Sequence, residues 1–241
     1  MARSGLMARP VETAWHEFAS PEELAEALAG TVAEHLAGAV KSRGHATLAV
    51  SGGSTPARFF RALSAKALAW DDVTIALVDE RFVGANSERS NERLVREKLL
   101  QGPVANASFA GLFSADSDPD QAAASADRKF AGLPLPFDVV VLGMGLDGHT
   151  ASFFPDAENL DALLDPSQTR VVMPVTAPSA GEPRLTLTLP ILASARFLAL
   201  HIEGEAKRDV LDATLSDAKP TAPIRRVLDA AASPPQIYWT A

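Results

Sequence analysis

The chain has 241 residues, 47% of them hydrophobic, and a formal net charge of −8. That length supports one sizeable core or two small ones. The absence of cysteine excludes disulfides, thiolate metal sites and thiol catalysis, and fits a reducing cytoplasm. An acidic balance argues against nucleic acid, which calls for a basic face, but leaves room for an anionic small molecule wherever a few Arg and Lys converge.

The opening MARSGLMARP has no apolar core of the kind a secretory signal needs, so residues 1–10 read as a loose extension and Met7 as an alternative start. No stretch approaches the ~18 uninterrupted apolar residues of a membrane span. Val11–Phe18 fits an edge strand. Ser20-Pro21-Glu22-Glu23 has a capping Ser, Pro at the first helical position and Glu at the third, and Leu24, Leu28, Val32, Leu36 and Val40 then mark one apolar helix face. His35 on that helix is a surface or boundary residue. Thr47–Val50 is the first central strand, and it opens into Ser51-Gly52-Gly53-Ser54-Thr55-Pro56, with Thr55 expected as N-cap and Pro56 as first helical residue. Free N–H groups at such a junction, with the hydroxyls of Ser51, Ser54 and Thr55, make an anion site; a ligand-free tight turn is the alternative. The ending of a Walker A loop is missing.

Val73–Val78 is the next strand, closed by Asp79-Glu80-Arg81, three charges that are unusual after a buried strand unless they face a crevice. Ser90-Asn91 caps a helix through Leu94, Val95 and Leu99. Residues 102–118 read as loop with a short apolar piece at Ala107–Phe113, and Gln121–Ala131 as a helix closed by Gly132. Phe137–Leu142 is a buried strand, followed by GMGLDGHTASFFP from Gly143 to Pro155. Its three glycines let the backbone turn sharply beside a ligand, and Asp147 and His149 are placed in that turn. A histidine oriented by a carboxylate moves protons near neutral pH; a pair that merely caps the next helix is the other reading. Val171–Val175 is a strand, Thr176–Pro183 a mobile loop, and Arg184–Pro190 regular structure again. Phe197–Ile202 is a strand leading through Glu203-Gly204-Glu205-Ala206-Lys207 into a helix, residues 222–230 form a short helix, and Gln236–Thr240 a last strand.

Alternating strands and helices predict a single α/β domain over 1–241, with a mainly parallel sheet and helices on both faces. Ligands in such sheets bind at the carboxyl ends of the strands. Polar clusters fall there four times, at Ser51–Thr55, Asp79–Arg81, Gly143–His149 and Glu203–Lys207. Together they predict a site.

SGGSTP, DERFV followed by SN, GMGLDGHTASFFP and RLTLTLP, in this order, resemble the glucosamine-6-phosphate isomerase/6-phosphogluconolactonase family over nearly the whole chain, from about Ala19 onward. The resemblance implies a Rossmann-like fold and lactonase activity on 6-phospho-D-glucono-1,5-lactone in the pentose phosphate pathway, without an organic cofactor. It also implies that Arg81, Arg184 and Lys207 are the cations for the phosphate, with Gly52, Gly53 and their neighbours as neutral donors.

The residues agree independently. There is no G-x-S-x-G elbow for an acyl-enzyme, and the other histidines are scattered with no H-E-x-x-H, so neither a serine nucleophile nor a metal is expected. Direct attack by water remains, with His149 as general base, Asp147 or Asp79 supporting its ring, and backbone N–H groups of a Gly-rich turn at the oxyanion. In the related deaminases a glutamate follows D-G-H; Phe154 stands there and cannot move a proton. A non-catalytic sugar-phosphate sensor would carry a DNA-binding module, and no spare domain or basic helix is present. The expected partner is therefore a small sugar phosphate, bound by a monomer or small homo-oligomer.

Overall fold

The computed structural model describes residues 13–115, 118–217 and 221–241; the extension expected for residues 1–10 lies outside them. Ala14–Phe18 (β1) leads to Pro21–Arg43 (α1), whose start follows the expected chemistry. Ser20 Oγ accepts from the Glu23 N–H at 3.2 Å, and Gly44 ends the helix at φ 75°, its N–H reaching the Val40 carbonyl. Leu24, Leu28, Val32 and Leu36 on its inner face are 0% exposed. Burying each stabilises by about 1.5–3 kcal/mol before chain entropy is subtracted.

Ala46–Val50 (β2), Val73–Leu77 (β3), Ser108–Ala110 (β5), Val139–Leu142 (β6), Phe197–Glu203 (β9) and Gln236–Thr240 (β10) join β1 in a seven-stranded sheet, ordered β1-β10-β9-β6-β2-β3-β5. Every neighbouring pair in it is parallel. All residues of β2 and β6 are buried, and side chains of a strand alternate between faces, so both faces of the sheet centre are covered. β5 is the apolar piece of the segment read as loop; it pairs with β3 at the far edge, after a 3₁₀ turn at Gly102–Asn106. β1 sits at the opposite edge, and among the described residues β10 is its only sheet partner.

A second, antiparallel sheet was not evident from the sequence. Asp79–Arg81 (β4), Val172–Val175 (β7) and Arg184–Leu187 (β8) form it in the order β4-β8-β7. It hangs from β3, since the Leu187 N–H donates to the Val78 carbonyl at 2.8 Å. The remaining helices are Ala57–Ser64 (α2), Asn91–Lys98 (α3), Pro119–Ala131 (α4), Leu160–Leu163 (α5), Leu189–Ala193 (α6), Glu205–Ser216 (α7) and Pro223–Ala230 (α8). Among the described residues no helix is long and apolar enough to cross a membrane.

Two local expectations need correction. α2 begins at Ala57 with Pro56 as its cap, and no side chain bonds its first turn. Thr55 is not the N-cap: it stands one residue before Pro56, and its hydroxyl accepts instead from Lys207 Nζ at 3.4 Å. The segment expected as a mobile loop contains a 3₁₀ turn, Pro178–Ala180, pinned where Ser179 donates through its N–H and hydroxyl to Asp156 at 2.9 and 2.6 Å.

Candidate active site

The chain leaves β2 toward β3 and β5, whereas β6 starts the run in the other direction, through β9 to β10. The sheet order therefore reverses between β2 and β6, where an open parallel sheet has its crevice. Both glycine loops emerge there and are tied together: the Gly143 N–H donates to Ser51 Oγ at 3.1 Å. A cavity of about 410 Å³ opens above them, lined from all four polar clusters, including Thr55, Asp79, Arg81, His149, Arg184 and Lys207.

The Gly143–His149 loop is followed by no helix until Leu160, so Asp147 and His149 have no helix to cap. Asp147 Oδ1 instead accepts from the His149 N–H at 3.1 Å and lies 2.6 Å from His149 Nδ1. A Cβ at Gly145 would stand 2.3 Å from the imidazole, so only glycine leaves room for the ring to fold back on the carboxylate. Nδ1 is thereby occupied, and Nε2 is the nitrogen left for chemistry. The ring lies 4.5 Å from that of Phe154, and the Arg184 guanidinium lies 5.5 Å from the centroid of the same Phe154 ring, so Phe154 sits between His149 and Arg184. Between His149 and Ser152 the chain passes through Ala151 at φ 49°, a left-handed conformation that costs a non-glycine residue about 1–2 kcal/mol.

Asp79 does not touch His149. Its Oδ2 accepts from Ser152 Oγ at 2.6 Å, and its carbonyl accepts from Asn91 Nδ2 at 2.9 Å. Of the two carboxylates left open by the sequence, Asp147 supports the imidazole and Asp79 faces the cavity beside Arg184. A Cβ at Gly52 would lie 1.9 Å from Asn91 Oδ1, so this glycine is fixed by the same knot. Glu80 plays no part in the cavity. Fully buried, it accepts from the N–H groups of Arg81, Asn91 and Glu92 at 2.7–2.8 Å and from Ser90 Oγ at 3.0 Å, satisfying the start of α3. Burial pushes its carboxyl pKa up, and these donors oppose the shift.

The cations stand in two places. Arg81 and Arg184 are register partners across β4 and β8, and the Nε atoms of both are buried without a hydrogen-bond partner. Arg184 donates to the Ala180 carbonyl at 2.9 Å and has Glu182 at 3.7 Å; Arg81 donates to the Arg89 carbonyl. Burial lowers the Arg184 pKa first of all, Asp79 opposes the shift and Arg81 adds to it, but a guanidinium stays charged. Lys207 lies across the cavity beside Thr55, and burial lowers its pKa against the field of Glu203.

Four N–H groups of the Gly143–His149 loop, those of Gly143, Gly145, Gly148 and His149, are already bonded within the fold. The amides of Gly52 and Gly53 carry no hydrogen bond among the described residues, so the β2 loop also offers backbone donors to the cavity. The sequence did not single out His201, which lines this cavity, or Ser152, buried behind it and bonded to Asp79. A sequence signal existed for the first: His201 and Glu203 are two apart on β9 and so share a face. No cluster of His, Asp or Glu able to hold a metal ion occurs among the described residues.

Residues 19–239 match the family described as glucosamine-6-phosphate isomerases/6-phosphogluconolactonase. The chain is 55% identical to 6-phosphogluconolactonase of Mesorhizobium japonicum, over 93% of this chain and 94% of that protein. It is 52% identical to the protein of the same name from Rhizobium meliloti, over 93% and 97%. The crystal structure of a 6-phosphogluconolactonase from Shewanella baltica superimposes with a TM-score of 0.92 at 40% identity, over 96% of this chain and 99% of that one. With the match running through all four rim clusters and both sheets, the chain belongs to the glucosamine-6-phosphate isomerase/6-phosphogluconolactonase family.

Proposed function

We propose that this protein hydrolyses 6-phospho-D-glucono-1,5-lactone to 6-phosphogluconate by direct attack of water. The observation that carries the reading is the 2.6 Å contact between His149 Nδ1 and Asp147, at the mouth of a cavity whose far walls hold Arg81, Arg184 and Lys207. Asp147 fixes the ring so that Nε2 takes a proton from water as its oxygen bonds the lactone carbonyl carbon. The tetrahedral intermediate collapses by expelling the ring oxygen, which receives that proton back from the imidazolium. The new carboxylic acid then ionises, so each turnover releases one proton to solvent.

The amides of Gly52 and Gly53, with Ser51, Ser54 and Thr55, supply neutral donors, and the three cations supply charge for the phosphate. A lactone is an activated ester, and one positioned base is a sufficient set. No cofactor enters this scheme. In keeping with the cysteine-free composition, we place the enzyme in the cytoplasm, as one domain over 1–241 acting as a monomer or small homo-oligomer in the pentose phosphate pathway.

The family name also includes isomerases. Phe154, packed 4.5 Å from His149, puts a ring that cannot transfer protons where the deaminases place a glutamate, and this favours the lactonase. Freshly prepared lactone should release acid well above its spontaneous rate when the protein is added, while glucosamine 6-phosphate yields no ammonia. Ammonia release at a rate comparable to lactone hydrolysis would reverse the assignment.

A further inference from the structure

Glu203 ends β9 four residues before Lys207, and Gly204 at φ 93° turns the chain between them into α7. A half-buried lysine this close to a carboxylate would ordinarily pair with it. Here it does not: no ion pair within 4.0 Å joins them among the described residues, although burial and the Glu203 field act on Lys207 in opposite directions. The carboxylate is held elsewhere. His201, 2% exposed, places Nε2 3.1 Å from Glu203 Oε1, while Arg58 Nη1 lies 3.7 Å from Oε2. Phe59 packs edge-on against the His201 ring at 6.4 Å and 81°, which fixes its direction. With both oxygens engaged, Glu203 leaves Lys207 Nζ to Thr55 and the cavity.

We propose that His201 is a positioning residue for the phosphate site: by holding the Glu203 carboxylate it keeps Lys207 available as an unpaired cation for the substrate phosphate. This rests on the reading of Lys207 as a phosphate ligand. A Lys207–Glu203 pair would present no net charge to a dianion, whereas free Lys207 presents one positive charge, and a phosphate binds through charge-assisted donors.

The test compares 6-phosphogluconolactone with unphosphorylated glucono-1,5-lactone. Lys207→Ala comes first: it should raise KM for the phosphorylated lactone far more than for the other. An equal rise on both would remove the phosphate reading itself. With that established, His201→Leu should raise KM for the phosphorylated lactone about 3- to 5-fold, the worth of one partly screened pair, with kcat held within about twofold. Adding Glu203→Gln to His201→Leu should restore most of the loss, since the amide cannot neutralise Lys207. A merely structural histidine predicts otherwise: equal loss on both lactones, or no rescue by Glu203→Gln, overturns the proposal. Should His201→Leu fold poorly, Arg58→Met on the exposed side releases the other oxygen. It should raise the same KM about twofold, again reversed by Glu203→Gln; a KM unchanged in Arg58→Met would count against the proposal.

Discussion

The two ends of β6 hold similar chemical groups and use them in opposite ways. At its foot, Asp138 is 4% exposed and saturated. It accepts from the Thr47 N–H at 2.9 Å and the Thr47 hydroxyl at 3.3 Å, and pairs with Arg43 and, at 3.3 Å, with Arg196. At its head, carboxylates, arginines and hydroxyls again crowd together, but the bonding is incomplete. Arg81 and Arg184 bury unpartnered Nε atoms, the His149–Asp147 pair is partly exposed, and Ala151 is held left-handed. Buried polar groups are normally satisfied. One end of the strand meets that rule and contributes stability; the other leaves buried donors unpartnered and a strained residue in place.

Substitutions should separate the two ends. The largest effect belongs to His149→Gln, which should lower kcat by about 10²–10⁴, the usual worth of a general base. Its melting temperature should barely move, because a rim residue has few core contacts. A variant with wild-type kcat would shift the base to Asp79, since Glu80 is committed to α3. Next comes Arg184→Ala, expected to lower kcat/KM on the phosphorylated lactone by about 10- to 100-fold while scarcely affecting the unphosphorylated one, as charge-assisted bonds are worth ~1.5–3 kcal/mol. Equal losses on both lactones would make Arg184 structural or place it at the carbonyl, the phosphate assignment would fail, and the contrast between head and foot would blur.

At the foot the prediction inverts. Asp138→Ala strands the buried Thr47 N–H, so unfolding in denaturant should show a loss of about 1–3 kcal/mol with kcat unchanged. A drop in kcat without loss of stability would mean that the two ends are coupled. The smallest effect concerns pH. Burial lowers the Lys207 pKa, so its charge is lost at a lower pH than that of a free lysine. Binding of 6-phosphogluconate, followed by calorimetry, should therefore weaken as pH rises into the alkaline range. Lys207→Arg should remove that decline, because a guanidinium remains charged.

Much of the head was legible in the sequence, because each polar cluster follows an apolar strand and the strands are long enough to show themselves. What escaped has physical reasons. β4 is three charged residues, Asp79–Arg81, with no apolar alternation, so neither it nor the small sheet it anchors announced itself. Glu80 looked like a crevice carboxylate because its partners, Ser90, Asn91 and Glu92, lie ten or more residues downstream. Thr55 fitted the capping rule, which knows nothing of a lysine arriving from α7. At the foot, Asp138 left no local trace: its partners come from α1, β2 and the turn before β9.

The pairing of β1 with β10 alone also has a consequence in time. His16 and its contact Gln236 are 220 residues apart, so Ala14–Phe18 leaves the ribosome long before its partner exists. At about 5–20 residues per second, synthesis of the intervening chain takes roughly 10–40 s. Through that interval β1 has no place in the sheet, and the β9 edge that will receive β10 stays open once it emerges. An uncovered strand edge is a template for wrong pairing. Nascent chains stalled before Gln236 should therefore be the forms of this protein that bind chaperones, are clipped by protease, or aggregate.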